Sequence, residues 1–138
     1  MKLKQKLDIR TIGYISTFEK ITRTEYIDFY EHPSSLLFII PQKDLKRAVG
    51  PQGKNVKKLT HLLNKKIKII GLSDDPKKFL IDLIYPIKPL EITQENNILK
   101  AKFASRIEKA RVIGREGKNL EFTNSFLKKH HNLEFKVI

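Results

Sequence analysis

The chain has 138 residues and contains no cysteine, which excludes disulfide bonds and thiolate metal sites. Its 28 Lys and Arg residues outnumber its 15 Asp and Glu residues, and the resulting net charge of +13 favours an anionic partner, a nucleic acid before an acidic membrane surface. The longest wholly apolar run, residues 36–40, is far shorter than the roughly 18 residues of a membrane span, and residues 1–7 show no secretory signal, so we expect a soluble, cytoplasmic protein with no membrane partner.

The first half of the chain predicts a helix followed by a β-hairpin. Over residues 8–22, apolar side chains recur at spacings near three, which is compatible with a helix that turns one face to a core. These side chains are Ile9, Ile12, Ile15, Phe18 and Ile21. Residues 26–30 and 36–40 have strand character and flank turn residues 32–35, which predicts a hairpin whose second strand is more deeply buried.

Two helices and a strand complete the first half. Residues 43–49 predict a short helix with its apolar side chains turned inward, and apolar residues between 56 and 63 mark the next helix. Lysine and isoleucine alternate over residues 66–70, which predicts a strand with one lysine face and one apolar face.

The second half repeats this order. Aspartate is a good N-cap and proline fits the first helical position, so Asp75 and Pro76 start a helix, and we assign Asp74 and Asp75 no acid–base chemistry. There follow a helix to residue 84, a hairpin about residues 95–97, helices over 106–113 and 120–130, and a strand over 133–137. We predict an α+β fold with two domains, residues 1–72 and 73–138, that pack against each other because each core is small.

A six-residue motif occurs twice, as Gly-Pro-Gln-Gly-Lys-Asn at residues 50–55 and Gly-Arg-Glu-Gly-Lys-Asn at residues 114–119. The offset of 114 − 50 = 64 residues is the length of a small domain, and four of the six glycines of the chain lie in these two turns. The similarity extends to Asp44 and Glu108, Arg47 and Arg111, Val49 and Ile113, Val56 and Leu120, and Leu63 and Leu127. A single G-x-x-G is usually a helix cap, but the repetition indicates a shared function.

The two turns have the chemistry of a phosphate-binding loop. The first glycine is predicted to adopt the left-handed conformation that stops a helix, and the second to re-enter a helix where a Cβ would be in the way. Backbone N–H groups and the positive end of the next helix then face a ligand beside Lys54 or Lys118. Nine basic residues surround the first turn, which favours RNA contact over a merely solvated face: Lys43, Lys46, Arg47, Lys54, Lys57, Lys58, Lys65, Lys66 and Lys68.

The remaining polar and aromatic candidates have structural alternatives. Asn55 and Asn119 could bind a phosphate or satisfy a backbone N–H in the first helical turn, and we favour the structural role. The histidines, including the adjacent His130 and His131, are interpreted as surface residues rather than metal ligands. Four tyrosines (Tyr14, Tyr26, Tyr30 and Tyr85) could stack on bases or lie half-buried. No catalytic residue, metal or cofactor is expected.

An αββααβ unit with G-x-x-G between its second and third helices resembles a type II KH domain. Two such units, with Asp74-Asp75-Pro76 between them, are similar to the archaeal form of the transcription termination and antitermination factor NusA over roughly residues 8–138. The resemblance implies two tandem type II KH domains, each with a three-stranded sheet packed on helices, that clamp single-stranded RNA, with about four nucleotides at each loop. It also implies docking on RNA polymerase.

The RNA-binding residues that follow from the resemblance are Gly50, Pro51, Gln52, Gly53, Lys54, Lys57, Lys58, Gly114, Arg115, Glu116, Gly117 and Lys118. Bases would lie beside the loops against Val49, Val56, Ile113 and Leu120. KH loops usually carry a basic residue at a variable position, as Arg115 does, whereas Pro51 and Gln52 lack charge and Pro51 lacks a backbone donor. The first loop is therefore expected to bind more weakly or to depend on Lys54, Lys57 and Lys58.

Our leading hypothesis is a monomeric, non-enzymatic RNA-binding factor in transcription termination or antitermination. The alternative is a KH-type structural component of a ribosomal or RNA-processing assembly. A protein-interaction platform is least favoured, because both loops are intact.

Overall fold

The computed structural model describes residues 8–138. The chain divides into two compact units, Met1–Leu72 and Ser73–Ile138, which are called unit 1 and unit 2 below. Residues 1–7, which belong to the first predicted domain and in which no secretory signal was predicted, lie outside the described residues.

The main elements of each unit follow the order helix, strand, strand, helix, helix, strand. Unit 1 contains α1 (Ile9–Thr22), β1 (Asp28–His32), β2 (Ser35–Pro41), α2 (Leu45–Val49), α3 (Lys54–Leu63) and β3 (Lys66–Leu72). Unit 2 contains α4 (Pro76–Ile84), β4 (Glu91–Glu95), β5 (Ile98–Lys102), α5 (Arg106–Ile113), α6 (Lys118–His131) and β6 (Glu134–Val137). Single 3-10 turns cover Gln42–Asp44, Pro51–Gly53 and Arg115–Gly117.

Each unit has one three-stranded sheet. The orders are β1-β2-β3 and β4-β5-β6, and in both sheets the first pair is antiparallel and the second pair parallel. The parallel pairs begin at matching places, with Ser35 opposite Lys66 and Ile98 opposite Glu134. The predicted α+β class is confirmed as two three-stranded sheets packed on helices.

The inward face of helix α1 agrees with the predicted one only in part, and Ile21 packs against the core as predicted. Ile15 and Phe18 are buried, but Ile9 and Ile12 are 90% and 51% exposed, and Thr11 is buried in their place. Residues three apart fall about 60° short of a full helical turn at each step, so a run at that spacing drifts around the helix. The buried positions instead follow spacings of three and four.

The core of unit 1 holds the two helices that flank the first motif. The rings of Phe18 and Phe38 stack with their centroids 3.9 Å apart, which joins α1 to the central strand β2. Ala48 of α2 and Leu59 of α3 are fully buried in the same cluster. Because one buried side chain anchors each helix, the turn between them is held at a defined place on the surface.

Unit 2 has the predicted N-cap and an unexpected use of its histidines. The Asp75 side chain accepts a hydrogen bond of 3.0 Å from the Lys77 backbone N–H, as the capping prediction requires. His130 and His131 are half-buried, and their rings lie 5.9 and 5.4 Å from the ring of Phe79. The prediction that these are surface histidines is wrong, because the end of α6 packs on α4.

The part of the chain that the structure describes shows neither a membrane-spanning helix nor a cluster of metal ligands. No helix between residues 8 and 138 has both the length and the apolar character needed to cross a membrane. In the same range, no three or more His, Asp or Glu side chains come together as a group that could hold a metal ion.

Candidate nucleic-acid interface

The two motif turns, called the first loop (residues 50–53) and the second loop (residues 114–117), share one backbone conformation. Gly50 and Gly114 have φ of 80° and 78° with extended ψ of 164° and 171°. Gln52 and Glu116 follow at φ of 55° and 57°, and the second glycines lie in the left-handed region. The left-handed residues are therefore the third and fourth of each turn, not the first glycine as predicted.

An asparagine from the following helix closes each turn. The side-chain amide of Asn55 donates to the Arg47 carbonyl at 3.2 Å, and that of Asn119 donates to the Arg111 carbonyl at 3.1 Å. The structural role predicted for these asparagines is confirmed, but the partner is a carbonyl of the preceding helix instead of an N–H of the following one. The bond ties the two flanking helices across the loop.

The first glycine of each loop is required by space as well as by φ. A Cβ on Gly50 would lie 3.1 Å from Asn55 Cγ, and one on Gly114 would lie 2.6 Å from Asn119 Cγ. A Cβ on Gly53 or Gly117 would meet nothing within 4 Å. The steric requirement thus falls on the first glycine, where the closing asparagine packs, and not on the second as the sequence suggested. The second glycines are favoured by their positive φ alone.

Hydrogen bonds inside the turns occupy several of the backbone donors. In the first loop, the amides of Gly50 and Gly53 donate to the carbonyls of Lys46 and Gly50 at 3.0 and 3.1 Å, and that of Lys54 donates to Pro51. The second loop repeats the three bonds at equivalent positions. Fewer backbone amides are therefore available to a ligand than the sequence predicted.

The two loops differ in the number of backbone N–H groups that are not used in these hydrogen bonds. The amide of Gln52 is the one not used by the turn bonds of the first loop, since Pro51 has no N–H. In the second loop both Arg115 and Glu116 keep an amide outside the turn bonds, and Arg115 adds a cation. The second loop thus offers one more backbone donor than the first, while the charge of Arg115 is balanced by that of Glu116.

The predicted loop residues lie together within each loop and are accessible. The variable residues Pro51, Gln52, Arg115 and Glu116 are exposed, as are the lysines that follow, and the four glycines are half-buried. Lys57 and Lys58 are exposed on α3, just beyond the first loop. The predicted apolar walls Val49, Val56, Ile113 and Leu120 are half-buried. Val56 also packs against the core of unit 1, so part of that wall already has an intramolecular partner.

Among the nine basic residues near the first loop, Arg47 and Lys65 have structural partners within unit 1. Arg47 lies 3.1 Å from Asp44 and 3.5 Å from the Thr24 hydroxyl. Lys65 lies 3.3 Å from Glu31, with its ammonium group 5.5 Å from the centre of the Tyr14 ring. These contacts lie within unit 1. Fewer cationic side chains are therefore available to a ligand than the nine counted in the sequence.

A surface groove of about 590 Å³ lies beside the second loop and was not predicted. Its apolar residues are Ile87, Ile107 and Ala110, and its polar residues include Arg111, Arg115 and Asn119. A smaller groove of about 240 Å³ shares Ile87, Arg111 and Asn119 with it and adds Tyr85. The sequence feature that could have indicated this groove was an isoleucine at an outward position of a helix. This residue, Ile107, is 73% exposed.

No protein-family model matches the chain. The "Probable transcription termination protein NusA" of Methanocaldococcus jannaschii is 31% identical over 140 residues, which cover 98% of this chain and 76% of the relative. The protein of the same name from Methanococcus vannielii is 30% identical over 123 residues, which cover 86% of this chain and 70% of the relative. The crystal structure of APE1850 matches with a TM-score of 0.61 and 25% identity, over 92% of this chain and 96% of that one.

These matches cover 98%, 86% and 92% of the chain, so they extend over both units. The structural match spans nearly the whole of both chains. The chain belongs to the archaeal NusA family of probable transcription termination proteins.

Proposed function

We propose that this protein binds single-stranded RNA through two KH-type loops and takes part in transcription termination or antitermination. The observation that carries the proposal is the repeated loop geometry. The second glycines, Gly53 and Gly117, have similar ψ values of 22° and 14°, and each loop is closed by the same asparagine bond. The αββααβ order of both units supports the assignment of two type II KH domains.

The physical basis of binding is the approach of a phosphate to the exposed loop. The amides of Gln52, Arg115 and Glu116 can donate to phosphate oxygens, and a helix begins immediately after each loop, at Lys54 and at Lys118. Both lysines are exposed, and the net charge of +13 attracts a polyanion from a distance. A strand held at both loops would bind more tightly than at either, since the first contact raises the effective concentration of the second.

The role in transcription is proposed from the names of the relatives. They are called transcription termination proteins, which favours this role over a ribosomal or RNA-processing assembly. RNA polymerase is accordingly the proposed protein partner. Recovery of polymerase with the tagged protein from cells would support the proposal, and recovery of ribosomal particles in its place would favour the alternative.

The loops are tested by replacing all four variable residues, Pro51, Gln52, Arg115 and Glu116, with aspartate. Aspartate tolerates the positive φ of two of these positions, and all four side chains are exposed, so the fold should survive. We expect loss of single-stranded RNA binding in a fluorescence anisotropy titration, with an unchanged circular dichroism spectrum. Unchanged affinity would overturn the proposal.

A matched control makes the same change in net charge away from the loops. It combines Lys77→Asp on α4 with Thr93→Asp and Gln94→Asp on β4, all at exposed positions. A general loss of positive charge would weaken binding equally in both variants. If the loops bind RNA as proposed, the loop variant should lose much more RNA affinity than the control.

A further inference from the structure

The outer face of α1 gives unit 1 an exposed apolar surface. Ile9 is 90% exposed and Ile12 is 51% exposed, whereas Phe18, which lies on the opposite side of the helix from Ile9, is fully buried. A surface groove of about 500 Å³ lies beside this face. It is lined by Ile12, Ile15, Ser16, Glu19, Lys20 and Tyr26. This face is therefore open to a partner.

Four residues spaced four apart form a row along this face. Residues at that spacing are neighbours on the surface of an α-helix, and such rows interdigitate when two helices pack. The row consists of the N-cap Asp8, Ile12, Ser16 and Lys20, all of which are exposed. It carries an anion at one end and a cation at the other, with a large apolar side chain and a small one between them.

This row is complementary to itself when its direction is reversed. In an antiparallel pair of α1 helices related by a two-fold axis, Asp8 of each copy faces Lys20 of the other, and Ile12 faces the small Ser16. None of the ion pairs among the described residues includes Lys20, so its ammonium group is available for this contact. The charge pattern of the face therefore favours a second copy of the chain as its partner.

Gly13 supports a close approach of a second helix at this face. It belongs to the neighbouring row of Ile9, Gly13 and Thr17, and a Cβ added to it would meet nothing within 4 Å. Packing among the described residues therefore does not require a glycine, although glycine destabilises a helix interior relative to alanine. The helix of a second copy could come closer to α1 where this side chain is missing.

We propose that the outer face of α1 binds the same face of a second copy of this chain in an antiparallel, two-fold symmetric pair. A contact along one helix of 14 residues is smaller than a standard interface of roughly 1,600 Å², so the association is weak and depends on protein concentration. The pair would replace the monomer expected from the sequence, and it would carry four loops instead of two. It does not depend on RNA binding.

Sedimentation velocity of the full chain without RNA, over a range of protein concentrations, tests this pair. Wild type should shift from the monomer to the dimer mass as the concentration rises. Gly13→Ala should increase the stability to urea, because alanine is the better helix former. The same variant should weaken self-association by roughly fivefold or more, because its Cβ keeps the two helices apart. These opposite effects distinguish an interface role from a structural one.

Charge reversal tests the contact between Asp8 and Lys20. Asp8→Lys and Lys20→Asp should each self-associate more weakly than wild type, since like charges then face each other. An equimolar mixture of the two variants should regain association, because their charges are opposite at the facing positions. Lys77→Asp, at an exposed position of α4, makes the same change in charge as Lys20→Asp and should associate like wild type. Circular dichroism checks that every variant is folded.

A monomer at every protein concentration would overturn the proposal. So would a dimer whose strength is unchanged by Gly13→Ala and by charge reversal, because the contact would then lie elsewhere. The RNA affinity of Ile12→Ser, measured at concentrations where the chain is monomeric, tests RNA as the other occupant of this face. Unchanged RNA affinity is expected, and a loss would assign the face to RNA and overturn the pair.

Discussion

The side-chain amide of Asn119 lies directly over Gly114, so close that a Cβ on the glycine would come within 2.6 Å of Asn119 Cγ. The same amide donates to the Arg111 carbonyl at 3.1 Å, and a displaced Asn119 would lose that bond. Gly114 therefore cannot change without disturbing the link between α5 and α6. Gly50 and Asn55 form the same pair in unit 1 at a less extreme distance of 3.1 Å.

The first prediction compares the two glycines of the second loop. Gly114→Ala should destabilise the protein by roughly 2–4 kcal/mol, since it combines an unfavourable φ with loss of the asparagine bond. Gly117→Ala should cost only about 1 kcal/mol, because its Cβ meets nothing and the left-handed conformation alone is penalised. Urea unfolding of both variants measures the difference. Equal costs would contradict the account of the closing asparagine.

The second prediction concerns the inequality of the two loops. Pro51→Arg restores a backbone N–H and adds a cation, so RNA affinity should rise by roughly threefold or more. Pro33→Arg is the matched control, because it makes the same replacement in the exposed hairpin turn of unit 1. Anisotropy titrations should show a greater gain for the Pro51 variant. Equal gains would mean that added charge explains the effect and that the loop amide does not.

The third prediction concerns the salt dependence of RNA binding. Each neutralised phosphate of a single strand contributes about 0.7 to the slope of log affinity against log salt. The double variant Lys54→Ala with Lys118→Ala should therefore reduce the slope by roughly 1.4. The double variant Lys77→Ala with Lys136→Ala removes two other exposed lysines and serves as the control. An unchanged slope in the first double variant would show that these two lysines do not contact phosphates.

The fourth prediction concerns acid stability at the start of α1. The pKa of the Asp8 carboxylate lies below its ordinary value of 3.8, because it accepts a hydrogen bond of 2.8 Å from the Thr11 backbone N–H. A lowered folded-state pKa means that the stabilisation is fully present above the unfolded pKa and is lost as pH falls through the folded pKa. Asp8→Asn retains an N-cap but does not titrate.

Urea unfolding of wild type and Asp8→Asn from neutral pH to about pH 3 should therefore show wild type losing more stability at the acid end. Parallel curves for the two proteins would show that Asp8 does not titrate differently in the folded state.

How far the sequence predicted the structure depends on what each residue had to satisfy. Asp75 with Pro76 predicted the start of α4 correctly, because both signals are local to the backbone. The inward face of α1 was predicted correctly at Ile15 and Phe18 but wrongly at Ile9, since apolar spacing alone does not say which end of the helix leaves the core. Local chemistry therefore predicted element boundaries better than it predicted the faces of elements.

The candidate site shows the same division. The loops were predicted from their glycines and from their repetition. The structural role of the asparagines was also predicted. The carbonyl partner was missed because Asn119 reaches back eight residues to Arg111 across the turn. The groove was missed because Ile87 and Ile107 are 20 residues apart in the sequence (107 − 87) and meet only in the folded unit.

The most direct test of the central claim is an NMR titration of the ¹⁵N-labelled protein with single-stranded RNA. The largest amide shifts are expected at the exposed loop positions Gln52, Arg115 and Glu116 and at the lysines that follow. Shifts centred on the exposed hairpin residues Thr93 and Gln94, with these loop amides unmoved, would contradict it.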